Sequence, residues 1–130
     1  MKKVLMDTNA YSAYLTGDKS VFRAITEADN VFLSVIVLGE LYAGFRGGTK
    51  YVYNIEILNR FISKPTVSVL SVTEETSLIF GQIKNSLKQA GTPIPINDVW
   101  ISSQAMETGS VLITFDDHFN YVAGLRLLDI

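Results

Sequence analysis

The sequence predicts an α/β fold: a single domain over residues 1–130, with a mainly parallel central sheet of about five strands flanked by helices. Three observations predict it. Short strand-like runs alternate with longer segments of helical period, the pattern of strands joined by helical crossovers. The first of those runs, Val4-Leu5-Met6, is apolar throughout, as a strand buried on both faces of a parallel sheet requires. A chain of 130 residues with 48% hydrophobic content can close one sizeable core, which argues against disorder.

Val4-Leu5-Met6 runs straight into Asp7-Thr8-Asn9. Residues from Thr8 to about Leu15 then read as a short helix, because Tyr11, Tyr14 and Leu15 recur at i, i+3, i+4. Thr16-Gly17-Asp18 breaks it, and a second helix spans about Lys19 to Ala28. After the Asp29-Asn30 turn, Val31 to Ser34 is the second strand. The next helix, about Val35 to Phe45, carries Leu38, Leu41, Tyr42 and Phe45 on one stripe. Arg46-Gly47-Gly48-Thr49 interrupts, and about Lys50 to Ser63 is helical again before Lys64-Pro65 ends it. Thr66 to Leu70 alternates and is rich in β-branched residues, hence a third strand. Thr73 is an N-cap for a long helix with Glu74 and Glu75 at its positive end and Gly91 as its stop. Thr92-Pro93-Ile94-Pro95-Ile96 is expected to be an extended crossing, followed by a helix from about Val99 to Thr108. Ser110 to Thr114 is another buried strand, and Leu125 to Leu128 is expected to close the sheet as a fifth.

Composition removes several classes of function. The absence of cysteine excludes disulfides and thiolate metal sites and fits a reducing, cytoplasmic compartment. The apolar run after Lys2 and Lys3 is too short for a signal peptide, and no segment approaches membrane-spanning length. There is no Gly-x-x-x-x-Gly-Lys phosphate loop and no Gly-x-Ser-x-Gly elbow. His118 is the sole histidine, so a zinc triad is out; without an obvious partner in sequence it reads as a loop residue.

What remains is a set of acids in comparable places. Asp7 follows strand one, Glu40 lies in the helix after strand two, Asp98 opens a helix, and Asp116 follows the strand Ser110 to Thr114. Two of them have a plain structural use: Asp7 can cap the helix that follows it, and Glu40 can be a solvated helix residue. In a parallel sheet, however, all four gather at the carboxyl edge, where open α/β sheets bind ligands. Carboxylates so close cannot all stay ionised without a cation. Oxygen-only ligands favour a hard ion such as Mg²⁺ or Mn²⁺, and such ions act on phosphates. The net charge of −2 gives weak ground against nucleic acid, but it is misleading if the acids hold a cation: without those four, nine acidic residues face 11 basic ones.

The ordered pattern resembles the PIN-domain ribonucleases, and among them the VapC-type toxins of toxin–antitoxin pairs. The resemblance covers essentially the whole chain. It rests on Asp7-Thr8-Asn9 after an apolar strand, the lone Glu40, Asn97-Asp98 after a proline-containing crossing, Thr114-x-Asp116-x-x-Phe119, and the Gly124-Leu125-Arg126 ending. It implies that Asp7, Glu40, Asp98 and Asp116 hold one or two Mg²⁺ or Mn²⁺ ions, supported by hydrogen bonds from Thr114 and the Thr8/Asn9 pair. It further implies metal-assisted attack of water on an RNA phosphodiester, structured RNA such as tRNA as substrate, and silencing by a cognate antitoxin. Asp117 is a departure, since a basic or neutral residue often stands there; it could share metal binding with Asp116. The apolar residues Tyr42, Phe45, Tyr51 and Ile55 exceed what two neighbouring helices need, and with the resemblance they predict a homodimer. Two other classes stand beside the nuclease. A catalytically silent PIN-like scaffold would not need all four acids. A metal-dependent signalling module wants an adjacent acidic pair after strand one, where this chain has Met6-Asp7.

Overall fold

The sheet is built around its first strand. The computed structural model describes residues 2–130, and among them β1 (Lys3–Met6), β2 (Asn30–Ser34), β3 (Val67–Leu70) and β4 (Val111–Ile113) form one sheet in the order β3-β2-β1-β4. Every pairing is parallel. Leu5 sits between Phe32 on one side and Leu112 on the other, and Met6 between Leu33 and Ile113. A strand with neighbours on both sides and helices on both faces has no wet face. Leu5 and Met6 accordingly have no exposed surface, which explains the unbroken apolar run.

Among the described residues six α-helices join the strands: α1 (Thr8–Leu15), α2 (Lys19–Glu27), α3 (Val35–Arg46), α4 (Tyr51–Ile62), α5 (Glu74–Ala90) and α6 (Ile96–Thr108). Their starts are locally encoded. Asp7, Asp18, Ser34 and Thr73 each cap a helix through the side-chain oxygen, which accepts from Ala10, Val21, Ile36 and Thr76 backbone N–H groups. Gly109 ends α6 at φ +68°, a left-handed conformation that costs glycine little, and turns the chain into β4. The main core gathers around β1, with Tyr11, Tyr14 and Phe61 in edge contact. A second, smaller core of Ile83, Leu87, Ile94, Val99 and Val122 lies under α5 and α6.

Two expectations are corrected. The fifth strand reduces to one parallel bridge between Leu112 and Leu127, made by Leu112 N–H to Arg126 C=O at 2.8 Å and Leu128 N–H to Leu112 C=O at 2.9 Å. β4 is only three residues long and offers little further edge to pair. The helix expected from about Val99 begins instead at Ile96, because Pro95, with extended ψ 145°, serves as the cap before it. Asp98 therefore occupies the first turn of α6, where a carboxylate meets the positive helix end.

Candidate active site

Parallel order brings the carboxyl ends of β1, β2 and β4 to one edge, and the acids follow. Asp7 leaves β1, with its side chain turned back to accept from Ala10 N–H at 2.8 Å. It is 6% exposed, low for an acid, and its capping bond leaves it at the acidic edge. Thr114, at the end of β4, donates its hydroxyl to Asp7 Oδ2, and its own Oγ1 accepts Asp116 N–H at 3.0 Å. One threonine thus ties the first and last acids of the pattern together. Glu40 lies midway along α3 and is exposed, yet its Oε1 accepts Thr8 Oγ1 at 2.6 Å, which fixes its direction across the edge. Asp116 caps the 3-10 turn Asp117–Tyr121 by accepting His118 N–H at 2.9 Å.

Asp98, Asp116 and His118 form the tightest group, each offering one ligand atom within 4.8 Å of the others. His118 Nδ1 is 3.1 Å from Asp116 Oδ1 and 3.7 Å from Asp98 Oδ2. This corrects the reading of His118 as an unpartnered loop residue. The signal was present as Asp116-x-His118, because a residue two positions after a capping aspartate is folded back toward it. Asn9 is exposed and makes no hydrogen bond to the four carboxylates among the described residues, so Thr8 alone of that pair supports a carboxylate. Asp117 is exposed in the 3-10 turn and stands outside the tight group.

Electrostatics joins Asp7 and Glu40 to that group. Asp98 is pushed up to about 6, first by burial and then by the charges of Asp116 and Glu40, with Asp7 adding and His118 opposing. Asp7 is also raised, chiefly by burial, against the hydrogen bonds from Thr114 and Ala10 that favour its ionised form. No lysine or arginine forms an ion pair with any of the four acids among the described residues. Four carboxylates, one imidazole and no fixed cation make a donor set suited to a hard divalent ion.

A stability signature follows. The carboxyl of Asp98 has an ordinary value of 3.8 and a folded value of about 6, so the folded protein holds that proton more tightly. Its contribution is fully present below about pH 4 and is lost as pH rises through about 6. The metal-free melting temperature should therefore fall across that interval, and Asp98→Asn should flatten the slope. A metal-free wild type that melts higher at neutral pH than at about pH 5 would contradict it.

The chain is similar to known proteins over most of its length. The PIN domain family model matches residues 4–125. Ribonuclease VapC1 of Haemophilus influenzae strain R2866 is 35% identical over 102 residues, covering 78% of this chain and 75% of the relative. A tRNA(fMet)-specific endonuclease VapC of Salmonella typhimurium is 26% identical over 132 residues, covering 99% and 98%. Among solved structures, VapBC-1 from nontypeable Haemophilus influenzae matches with a TM-score of 0.86 at 28% identity, over 98% of this chain and 97% of that one. The family match over residues 4–125 and the 35% identity over 78% of the chain agree with the fold, and the chain belongs to the PIN-domain family, among the VapC ribonucleases.

Proposed function

We propose that this ribonuclease is the toxin of a toxin–antitoxin pair, cutting structured RNA such as tRNA with Asp7, Glu40, Asp98 and Asp116 around Mg²⁺ or Mn²⁺. The observation that carries it is the convergence of four carboxylates with no lysine or arginine to balance them. When bound, the metal supplies positive charge for the phosphate and a water of lowered pKa for hydrolysis. The chain's own residues do the rest. Thr114 and Ala10 N–H orient Asp7 and favour its ionised form against burial, Thr8 aims Glu40, and Thr114 locks the backbone of Asp116. Asp98 and Asp116 complete the ring, with His118 laid against both. The intact acids speak against a silent scaffold.

The test is cleavage of a structured RNA in Mg²⁺ or Mn²⁺, abolished by EDTA. Calorimetry should find Mn²⁺ binding that disappears in the double variant Asp7→Asn/Asp98→Asn; unchanged affinity there would dismantle the site as drawn. An antitoxin of the cognate pair would silence it by placing an arginine against the carboxylates, whose anionic field suits a bidentate guanidinium. Support comes from neighbours solved as VapBC complexes, including the one from Haemophilus influenzae. A homodimer is part of the same proposal. Phe45, Tyr51 and Ile55 are partly buried, but Tyr42, Val52 and Tyr53 leave 36%, 69% and 57% of their surface exposed along α3 and α4. Light scattering at micromolar concentration should give twice the chain mass, and a monomer would remove this part.

A further inference from the structure

We propose that the amino edge of the sheet carries a second RNA-binding site, a hollow that seats an unpaired nucleotide while neighbouring phosphates rest on a rim of lysine and arginine. It rests on the reading of the chain as a nuclease of structured RNA. A cavity of about 520 Å³ opens at this edge, beside the starts of β1 and β4 and along α2. Its walls include Val4, Ala24, Val111 and Leu128, and its rim holds Lys2, Lys3, Lys19, Arg23 and Arg126. Those five are nearly half of the chain's 11 basic residues, gathered at one place in a protein of net charge −2.

Local acids do not cancel the rim. Glu27 and Asp129 also line the cavity, and Glu27 engages Lys2 at 3.7 Å. Lys3, Lys19 and Arg23 form no ion pair among the described residues. Lys19 and Arg23 are i, i+4 neighbours on α2 and so present their charges on one face. Arg126 donates from Nη2 to Gly109 C=O, which draws its guanidinium to the edge of the hollow. Guanidinium planes are surfaces on which unpaired bases stack.

The shape selects among anions. A hollow of a few hundred Å³ with mostly apolar walls fits a small rigid body rather than a flat surface. A nucleotide offers a flat ring for the hollow and phosphates for the rim. Acidic peptide side chains would reach the rim but leave the hollow without a matching ring. The chemistry at the opposite edge also needs such a site. There the chain presents four carboxylates, so affinity for the rest of the RNA has to come from cations elsewhere, and phosphate contacts are what position a nucleic acid. β1 separates the two edges by about 13 Å, four residues at about 3.3 Å each, a span that a structured RNA covers.

The test is binding of a labelled, unpaired RNA oligomer by fluorescence anisotropy, in EDTA so that cleavage plays no part. Lys19→Ala/Arg23→Ala should weaken binding by at least about fivefold. The slope of log affinity against log salt should fall by about 1.4, two lost contacts at about 0.7 each on a single strand. In Mg²⁺ the same variant should raise KM with kcat unchanged. Lys84→Ala/Lys88→Ala, which removes two charges from α5, should change neither. AMP in excess should displace RNA from the wild type and have less effect on the rim variant, which separates a seated nucleotide from phosphate contacts alone. Equal losses from both lysine-containing pairs, or a rim variant that keeps full RNA affinity while losing affinity for polyglutamate, would overturn the site. A wild type that binds the RNA through this rim but cuts none in Mg²⁺ would leave the site standing and remove the nuclease reading.

Discussion

Asp98→Asn is expected to lower RNA cleavage by at least about two orders of magnitude, the loss typical of removing one preorganised electrostatic group from a site. The fold should survive, and the metal-free protein should become slightly more stable. Both expectations come from the same crowding. The carboxyl of Asp98 is partly buried beside Asp116 and Glu40, so its ionisation is disfavoured in the folded state. An amide of the same shape removes that repulsion and cannot supply the charge a cation needs. Asp7→Asn should behave alike in activity, with a smaller gain in stability, because Thr114 and Ala10 already favour the charged form of Asp7. Asp117→Asn should cost far less, since Asp117 stands outside the group formed by Asp98, Asp116 and His118. The measurement is cleavage of a structured RNA with melting curves taken in parallel. Full activity in Asp98→Asn, or cleavage that persists in EDTA, would reject the assignment.

Phe119→Ala is expected to be the most damaging of the substitutions near the site, costing about 3–5 kcal/mol of stability. Phe119 is 1% exposed and belongs to the main core, although it lies in the 3-10 turn only three residues after Asp116. Its ring anchors the segment that carries Asp116 and His118. Truncation opens a cavity under that turn and loosens one wall of the site. A loss of this size is a large share of the about 5–15 kcal/mol that holds a domain together. It should lower the melting temperature by about 10–20 °C. Phe119→Leu, which keeps most of the volume, should cost clearly less and retain activity. If the alanine variant melts with the wild type, the turn is not anchored through this ring.

Much of this was legible because the signals were local. The apolar run into Asp7 marked a central strand with a polar end, whereas the helix pattern around Glu40 fitted a solvated residue as well as one turned to the sheet edge, where it accepts from Thr8. Phe119 was visible as part of the Thr114-x-Asp116-x-x-Phe119 pattern. The misreadings have physical reasons. His118 looked unpartnered because the Asp116-x-His118 spacing was not read as a fold back onto the capping aspartate, and its second neighbour Asp98, 20 residues earlier, meets it only when α6 and the 3-10 turn pack side by side. The proline pair hid the start of α6, since Pro95 ends an extended stretch and opens a helix at once. Leu125 to Leu128 has strand composition, but pairing with β4 stops after one bridge. The basic rim was not legible at all. Its members come from residues 2–3, 19–23 and 126, far apart in sequence, and no periodicity connects them.

The division of the interior into two cores has a consequence for how the molecule opens. α5 is joined to the body through α6, the small cluster of Ile83, Leu87, Ile94, Val99 and Val122, the stacked rings of Phe80 and Trp100, and hydrogen bonds from Thr73 and Thr76 to Glu107. Through them α5 packs mainly on a single neighbour, α6, whereas β1 is enclosed by β2, β4, α1 and α6. Regions with smaller buried clusters open at lower free energy than the global transition. Amide hydrogens of α5 should therefore exchange with solvent deuterium through a partial unfolding event, while those of β1 wait for the whole chain to unfold. The first turn of α6 borders both regions, so Asp98 stands at the seam between the part that breathes and the part that does not.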